Sequence, residues 1–136
     1  TNEDRKYLRT KVRKLIKELQ KEGLDNFKFL KTIKNLKYSN EVVKFYVDEN
    51  LKKNTFFSKE NKRLVMNKNF FNQPYEVIFR GMSDSLKLIG QKYYLVRGKK
   101  LDKIIQDIKN NLSFKGTLGG CIVEKVNHTV IISKER

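Results

Sequence analysis

Two arginines one helical turn apart, Arg9 and Arg13, are the residues of this chain best suited to grip an anion. On a helix, an i,i+4 pair shares one face. Each guanidinium offers a planar fork of donors that matches phosphate or carboxylate. Arg5, Lys6, Lys11, Lys14 and Lys17 crowd around them and complete several i,i+4 pairs of like charge. Such pairs weaken an isolated helix by about 0.2–0.5 kcal/mol each, so a ligand that neutralises the face is the expected reason for it. The other charge runs, Lys52-Lys53, Lys62-Arg63 and Lys99-Lys100, read as solvated ends of elements.

Catalytic chemistry is poorly represented. Gly116-Thr117-Leu118-Gly119-Gly120 is glycine-rich but lacks the Gly-Lys-Ser/Thr ending of a phosphate loop. A β-leaning run follows it, not a helix N-terminus, so a strand turn or bulge is expected there. One histidine, His128, and one cysteine, Cys121, are too few for a His/Cys metal site within the chain. His128 is expected in a surface turn and Cys121 in the interior. Ser83-Asp84-Ser85 sits in a helical stretch with no histidine or lysine assigned to it as a base. These residues describe a binding module rather than a complete enzyme, with no metal.

The 31 basic residues face 15 acidic ones, giving a net charge of +16 in 136 residues. Basic residues are spread along almost the whole chain, which favours a polyanionic partner. A codon bias that inflates Lys and Asn is the bland alternative, but it leaves the low acidic count without a cause. An anionic membrane surface fits less well, because no helix combines a basic face with clean apolar anchors. An aromatic content of 11% is too high for an unfolded tail. A single cysteine excludes an internal disulfide framework and agrees with a reducing compartment. With no apolar run near the ~20 residues of a membrane span and no secretory signal, the expectation is a soluble cytoplasmic protein.

The elements that must carry these residues follow from periodicity. The first helix is predicted from residue 2 or 3 to residue 22, capped by Thr1, with Tyr7, Leu8, Val12, Leu15, Ile16 and Leu19 as its buried stripe and Gly23 ending it. Arg9 and Arg13 lie beside that stripe and are expected to face outward. A second helix is predicted over 26–37, capped by Asp25, with Phe27, Leu30, Ile33 and Leu36 inward. A third, over 40–52, is capped by Ser39, with Val42, Val43, Tyr46, Val47 and Leu51 inward. Their aromatic residues are expected in the core. A hairpin is predicted from 55–58 and 63–67. Pro74 opens a helix that stops at Gly90, with Gly81 marking a tight helix crossing. Another helix spans about 99–110 after the aromatic-basic connection Lys92-Tyr93-Tyr94-Leu95-Val96-Arg97. Strands 114–118, 121–126 and 129–133 end the chain, the last two joined by Asn127-His128. The fold class expected is α+β, predominantly helical: a small helical bundle with a β-hairpin near the middle and a β-hairpin or meander at the C-terminus.

Thr1-Asn2, six residues, then Arg9-Thr10-Lys11-Val12-Arg13 resembles a signature of the tRNA(Ile)-lysidine synthases: Ser-Asn, a six-residue polar spacer, then Arg-Asn-x-(Ile/Leu/Val)-Arg. Asn2, Arg9, Val12 and Arg13 match; Thr1 stands for the usual Ser, and Thr10 for the usual Asn. Glu76-Val77-Ile78-Phe79-Arg80, the Tyr-rich connection ending at Arg97, a Leu-rich helix and Thr117-Leu118-Gly119-Gly120 are similar to shorter bacterial members. In that family an ATP-pyrophosphatase domain with a Ser-Gly-Gly-x-Asp-Ser loop uses ATP and Mg2+ to activate the wobble cytidine of an isoleucine tRNA with a CAU anticodon. Lysine then displaces AMP to give lysidine. No such loop occurs in this sequence. The resemblance therefore implies the C-terminal portion of such a ligase, whose partner is the N-terminal catalytic domain and which binds no cofactor itself. It assigns residues 1–23 to the terminal helix of the catalytic region and 24–136 to a helical tRNA-recognition domain. It points Asn2, Arg9, Lys11 and Arg13 toward the tRNA near the active site and leaves the role of Thr10 open. Arg5, Lys6, Lys17 and Arg97 are the further candidates for phosphate contacts, and no catalytic residue is expected here. A non-enzymatic basic RNA- or DNA-binding protein of ribosomal or nucleoid type is the alternative.

Overall fold

Between Gly23 and Pro74 the chain has neither glycine nor proline, and its longest helix lies there. The computed structural model describes residues 2–23 and 26–136; the expected caps Thr1 and Asp25 lie outside the described residues, as does the side chain of Asn2. Helix α1 is Asn2–Lys21. Helix α2 is continuous over Asn26–Asn54, one helix in place of the two that a cap at Ser39 predicts. Ser and Asn are only about half a kcal/mol poorer than Ala inside a helix, while each residue added to a formed helix gains a bond. A cap-type residue alone does not stop it.

Two compact units divide the chain, Thr1–Glu41 and Val42–Arg136. In the first, the two apolar stripes predicted to be buried are exposed. Tyr7, Leu8, Val12, Leu15 and Leu19 of α1 and Phe27, Leu30, Ile33 and Leu36 of α2 all keep large accessible areas. Only Ile16 and Phe29 are half-buried among the described side chains of this unit. About forty residues are too few to wrap a core by themselves.

The second unit has the core. Of the α2 residues expected inward here, Val47 is buried and Val43 and Leu51 half-buried, whereas Val42 and Tyr46 are exposed. The α2 end is fixed by amides: Asn54 Nδ2 donates to Asn50 Oδ1 at 2.8 Å, and buried Asn50 Nδ2 donates to Phe70 O at 3.2 Å. Strands β1 (Thr55–Ser58) and β2 (Arg63–Met66) form the middle hairpin, followed by a 3-10 turn, Lys68–Phe71. Helix α3 is Tyr75–Gly90 and α4 is Gly98–Asn110. Pro74, predicted within the first turn, stands at the N-cap of α3, where its carbonyl accepts from Ile78 N at 3.1 Å. The space at Gly81 is filled by the Phe70 ring, whose Cζ would lie 3.0 Å from an added Cβ. A ring from the 3-10 turn thus takes the place of the predicted helix crossing.

Strands β3 (Ser113–Leu118), β4 (Cys121–Val126) and β5 (Thr129–Lys134) form the C-terminal meander. It joins the middle hairpin through β2 and β5, making one antiparallel sheet of order β1-β2-β5-β4-β3. The register aligns Leu64 with Ile132 and Ile132 with Val123, all on the covered face. Strand alternation puts Met66, Cys121 and Val130 on that face too. Against it lie Ile78, Met82, Leu86 and Ile89 of α3 and Leu101, Ile104, Ile105 and Ile108 of α4. The architecture is α+β and predominantly helical. No described helix is long and apolar enough to cross a membrane.

Candidate nucleic-acid interface

With its polar side uninterrupted, α1 repeats a cation every fourth residue. Arg5, Lys6, Arg9, Thr10 and Arg13 line one shallow depression on its surface. Two adjacent i,i+4 rows, Arg5–Arg9–Arg13 and Lys6–Thr10, thereby form one face with four cations. All five side chains are exposed, so the guanidinium groups of Arg9 and Arg13 are open to solvent and accessible to an incoming anion. The Thr10 hydroxyl turns back and donates to Lys6 O at 2.9 Å. That leaves it facing the helix backbone, which is where a β-hydroxyl in a helix commonly bonds. Lys17 continues the row one turn beyond Arg13, outside the depression. Lys11 is exposed as well but sits about 200° around the helix from Arg9, on another side.

Aromatic residues of this unit were expected in the core, but Phe27 is 75% and Tyr38 51% exposed, and Phe29 is only half-buried. Lys34 Nζ lies 5.9 Å from the centre of the Tyr38 ring, a cation–π distance. Exposed rings among exposed cations are the elements of single-strand binding, where bases stack on the rings and phosphates meet the charges.

Arg97 belongs to the second unit. There the end of α3, the connection 91–97, the start of α4 and the β3–β4 turn enclose a cleft of about 760 Å³. Its lining includes Lys87, Lys92, Tyr94, Arg97 and Lys100, with Glu135 as the one carboxylate. Gly119 and Gly120 make the turn with φ of +62° and +76°, the two left-handed residues of a type I′ hairpin. The strand turn expected at Thr117-Leu118-Gly119-Gly120 is thus present, and packing explains its glycines further. A Cβ on Gly119 would lie 2.5 Å from Val96 Cγ1, and one on Gly90 would lie 2.2 Å from Gly119 O. Lys134 Nζ donates to Gln91 Oε1 at 2.8 Å, and Glu135 N to Gly120 O at 2.9 Å. The segment 134–135 is therefore tied to Gln91 by a side-chain bond and to the β3–β4 turn by a backbone bond. Sequence reasoning found Arg97 and the glycines but missed Lys87 and Lys100. The string Lys92-Tyr93-Tyr94 was the available signal.

Nucleophilic candidates do not assemble. Cys121 is fully buried, its Sγ donating to Leu86 O at 3.3 Å, and burial pushes its thiol up to about 11. It is a protonated core group at neutral pH. Ser85 Oγ donates to Gly81 O at 2.7 Å, and His128 is exposed in the β4–β5 turn. Among the described residues no three His, Cys, Asp or Glu side chains are grouped to hold a metal ion.

Comparison with family models, with curated proteins and with solved structures finds no match for this chain.

Proposed function

We propose that this chain is the tRNA-binding portion of an ATP-dependent ligase that converts the wobble cytidine of an isoleucine tRNA to lysidine. In this reading residues 1–23 complete the catalytic region, 24–136 recognise the tRNA, and ATP, Mg2+ and lysine bind to the catalytic domain alone. The observation that carries it is the exposed Arg5–Arg9–Arg13 row on α1, since Arg9 and Arg13 are also the matched arginines of the family signature. The accessible rings of the first unit and the net charge of +16 support the same class of partner. Asn2 and Lys11 enter as signature positions; Lys6, Lys17 and Arg97 enter as phosphate contacts.

The test is competition binding of the chain to three nucleic acids: isoleucine tRNA with a CAU anticodon, another tRNA, and random duplex DNA. The expected result is preference for the first; equal affinities would establish the non-selective basic binder. Replacing Arg9 and Arg13 together with Ala should weaken tRNA binding at least tenfold, since a hydrogen bond to a charged group contributes about 1.5–3 kcal/mol. The melting temperature should hold, because both side chains are exposed. A marked fall in melting temperature with unchanged affinity would make the face structural. With about six phosphate contacts, affinity should drop roughly a thousandfold between ~50 and ~200 mM salt. ATP and lysine turnover by this chain alone would overturn the reading.

A further inference from the structure

The cleft in the second unit is built differently from the α1 face. Lys92, Arg97 and Lys100 stand at its rim, Tyr94 and the apolar Leu95, Val96 and Leu118 line it, and its volume of about 760 Å³ is in the range of small-ligand sites. No ion pair holds Lys92, Arg97 or Lys100 among the described residues. The Lys92 side chain lies beside the β3–β4 turn, with Nζ 3.8 Å from where a Cβ on Gly120 would be. Helix α4 begins at this rim with no acidic residue in its first turn and no side-chain cap at Arg97. Its N-terminal amides add a favourable field for an anion. An apolar and aromatic wall next to three cations matches a group with one flat, weakly polar end and one anionic end.

We propose that this cleft is a nucleotide site, taking the base against the Tyr94–Leu95 wall and the 5′-phosphate on Lys92, Arg97 and Lys100. The site lies wholly in the unit Val42–Arg136; it shares Arg97 with the tRNA reading but does not rest on the α1 face. Phosphate and base together come from two sources, a free mononucleotide or an unpaired nucleotide within RNA, and the two are separable.

The experiment titrates the full chain with 5′-CMP and, separately, with a single-stranded hexaribonucleotide, by NMR for the amides of Gly119, Gly120 and Tyr94 and by calorimetry for affinity. Shifts at these amides with either probe support the site. Saturation by 5′-CMP assigns it to free nucleotide, and saturation by the oligomer alone to RNA. Arg97→Ala with Lys100→Ala should weaken binding of the saturating probe at least tenfold. For the oligomer it should also flatten the log–log salt slope by about 0.7 per lost phosphate contact. Tyr94→Ala, on a ring 67% exposed, should weaken either probe about fivefold or more through lost stacking without changing that slope. Arg9→Ala with Arg13→Ala should leave the Gly119 and Gly120 shifts intact, which separates failure of this site from failure of the α1 reading. No shift with either probe, or affinity for both unchanged in Arg97→Ala with Lys100→Ala, overturns the proposal.

Discussion

Helices α1 and α4 each carry four apolar residues on one helical face: Leu8, Val12, Leu15 and Leu19 in one, Leu101, Ile104, Ile105 and Ile108 in the other. Their environments are opposite. The α4 residues are at most 8% exposed and the α1 residues at least 48%. A helical stripe marks a face, and only a partner makes it a core. In the second unit the partner is the sheet face of Leu64, Met66, Cys121, Val123, Val130 and Ile132. The first unit has no such surface of its own.

This contrast is most directly broken by truncation. Ile105→Ala removes a fully buried side chain and should destabilise the second unit by about 2–5 kcal/mol, through lost transfer energy plus the cavity left behind. Leu15→Ala, on an exposed stripe, should change stability by no more than about 0.5 kcal/mol. Denaturant unfolding followed by circular dichroism measures both. A Leu15→Ala loss as large as that of Ile105→Ala would mean that the α1 stripe is covered in solution.

Glycines sharpen the same comparison. An alanine Cβ at Gly90 would meet the backbone oxygen of Gly119 at 2.2 Å and Cys121 Sγ at 3.2 Å. The backbone oxygen cannot swing away, so Gly90→Ala should cost about 1–3 kcal/mol as overpacking. Alkylation of buried Cys121 should accelerate in step, because the thiol is reached only when the unit opens. At Gly23 an added Cβ meets nothing within 4 Å, and only the positive φ of +106° opposes it. Gly23→Ala should therefore cost about 1–2 kcal/mol and leave the Cys121 rate unchanged. Equal acceleration by both variants would show that the units open together.

Local signals carried much of the second unit. Alternation and turn residues placed all five strands to within one or two residues, and Gly90 was marked as the end of α3. What they could not carry was pairing at a distance. Nothing in residues 63–66 states that Leu64 will sit opposite Ile132, sixty-eight positions later, so the union of hairpin and meander in one sheet was not legible. Burial in the first unit failed for a related reason: periodicity in Phe27, Leu30, Ile33 and Leu36 is silent on whether a third layer exists. The α2 boundary failed because Ser39 fits a cap and a helix interior almost equally well. For the candidate sites, helical spacing was enough to put Arg9 and Arg13 on one exposed face. The gathering of Lys87, Lys92, Arg97 and Lys100 depends on where the chain returns after Gly90, which only the fold decides.

The smallest effect expected concerns charge. On α1 like charges are cationic and solvated. In the second unit, partial desolvation and then the Asp48 carboxylate push the Asp84 carboxyl above its ordinary value, while Lys87 and Arg80 pull it back. A carboxyl whose folded value is raised contributes stability below its unfolded value, 3.8, and loses that contribution as pH rises through the folded one. At neutral pH the ionised Asp84 therefore costs stability, and Asp84→Asn should raise the melting point slightly. As Asp84 is exposed, the gain should stay within about 0.5 kcal/mol. It should disappear on acidification below the unfolded value, where the wild-type carboxyl is already neutral. Melting curves of both proteins from acid to neutral pH check this. A variant less stable than wild type at neutral pH would mean that attraction to Lys87 and Arg80 outweighs burial and Asp48. The surroundings of Asp84 would then stabilise its negative charge rather than oppose it.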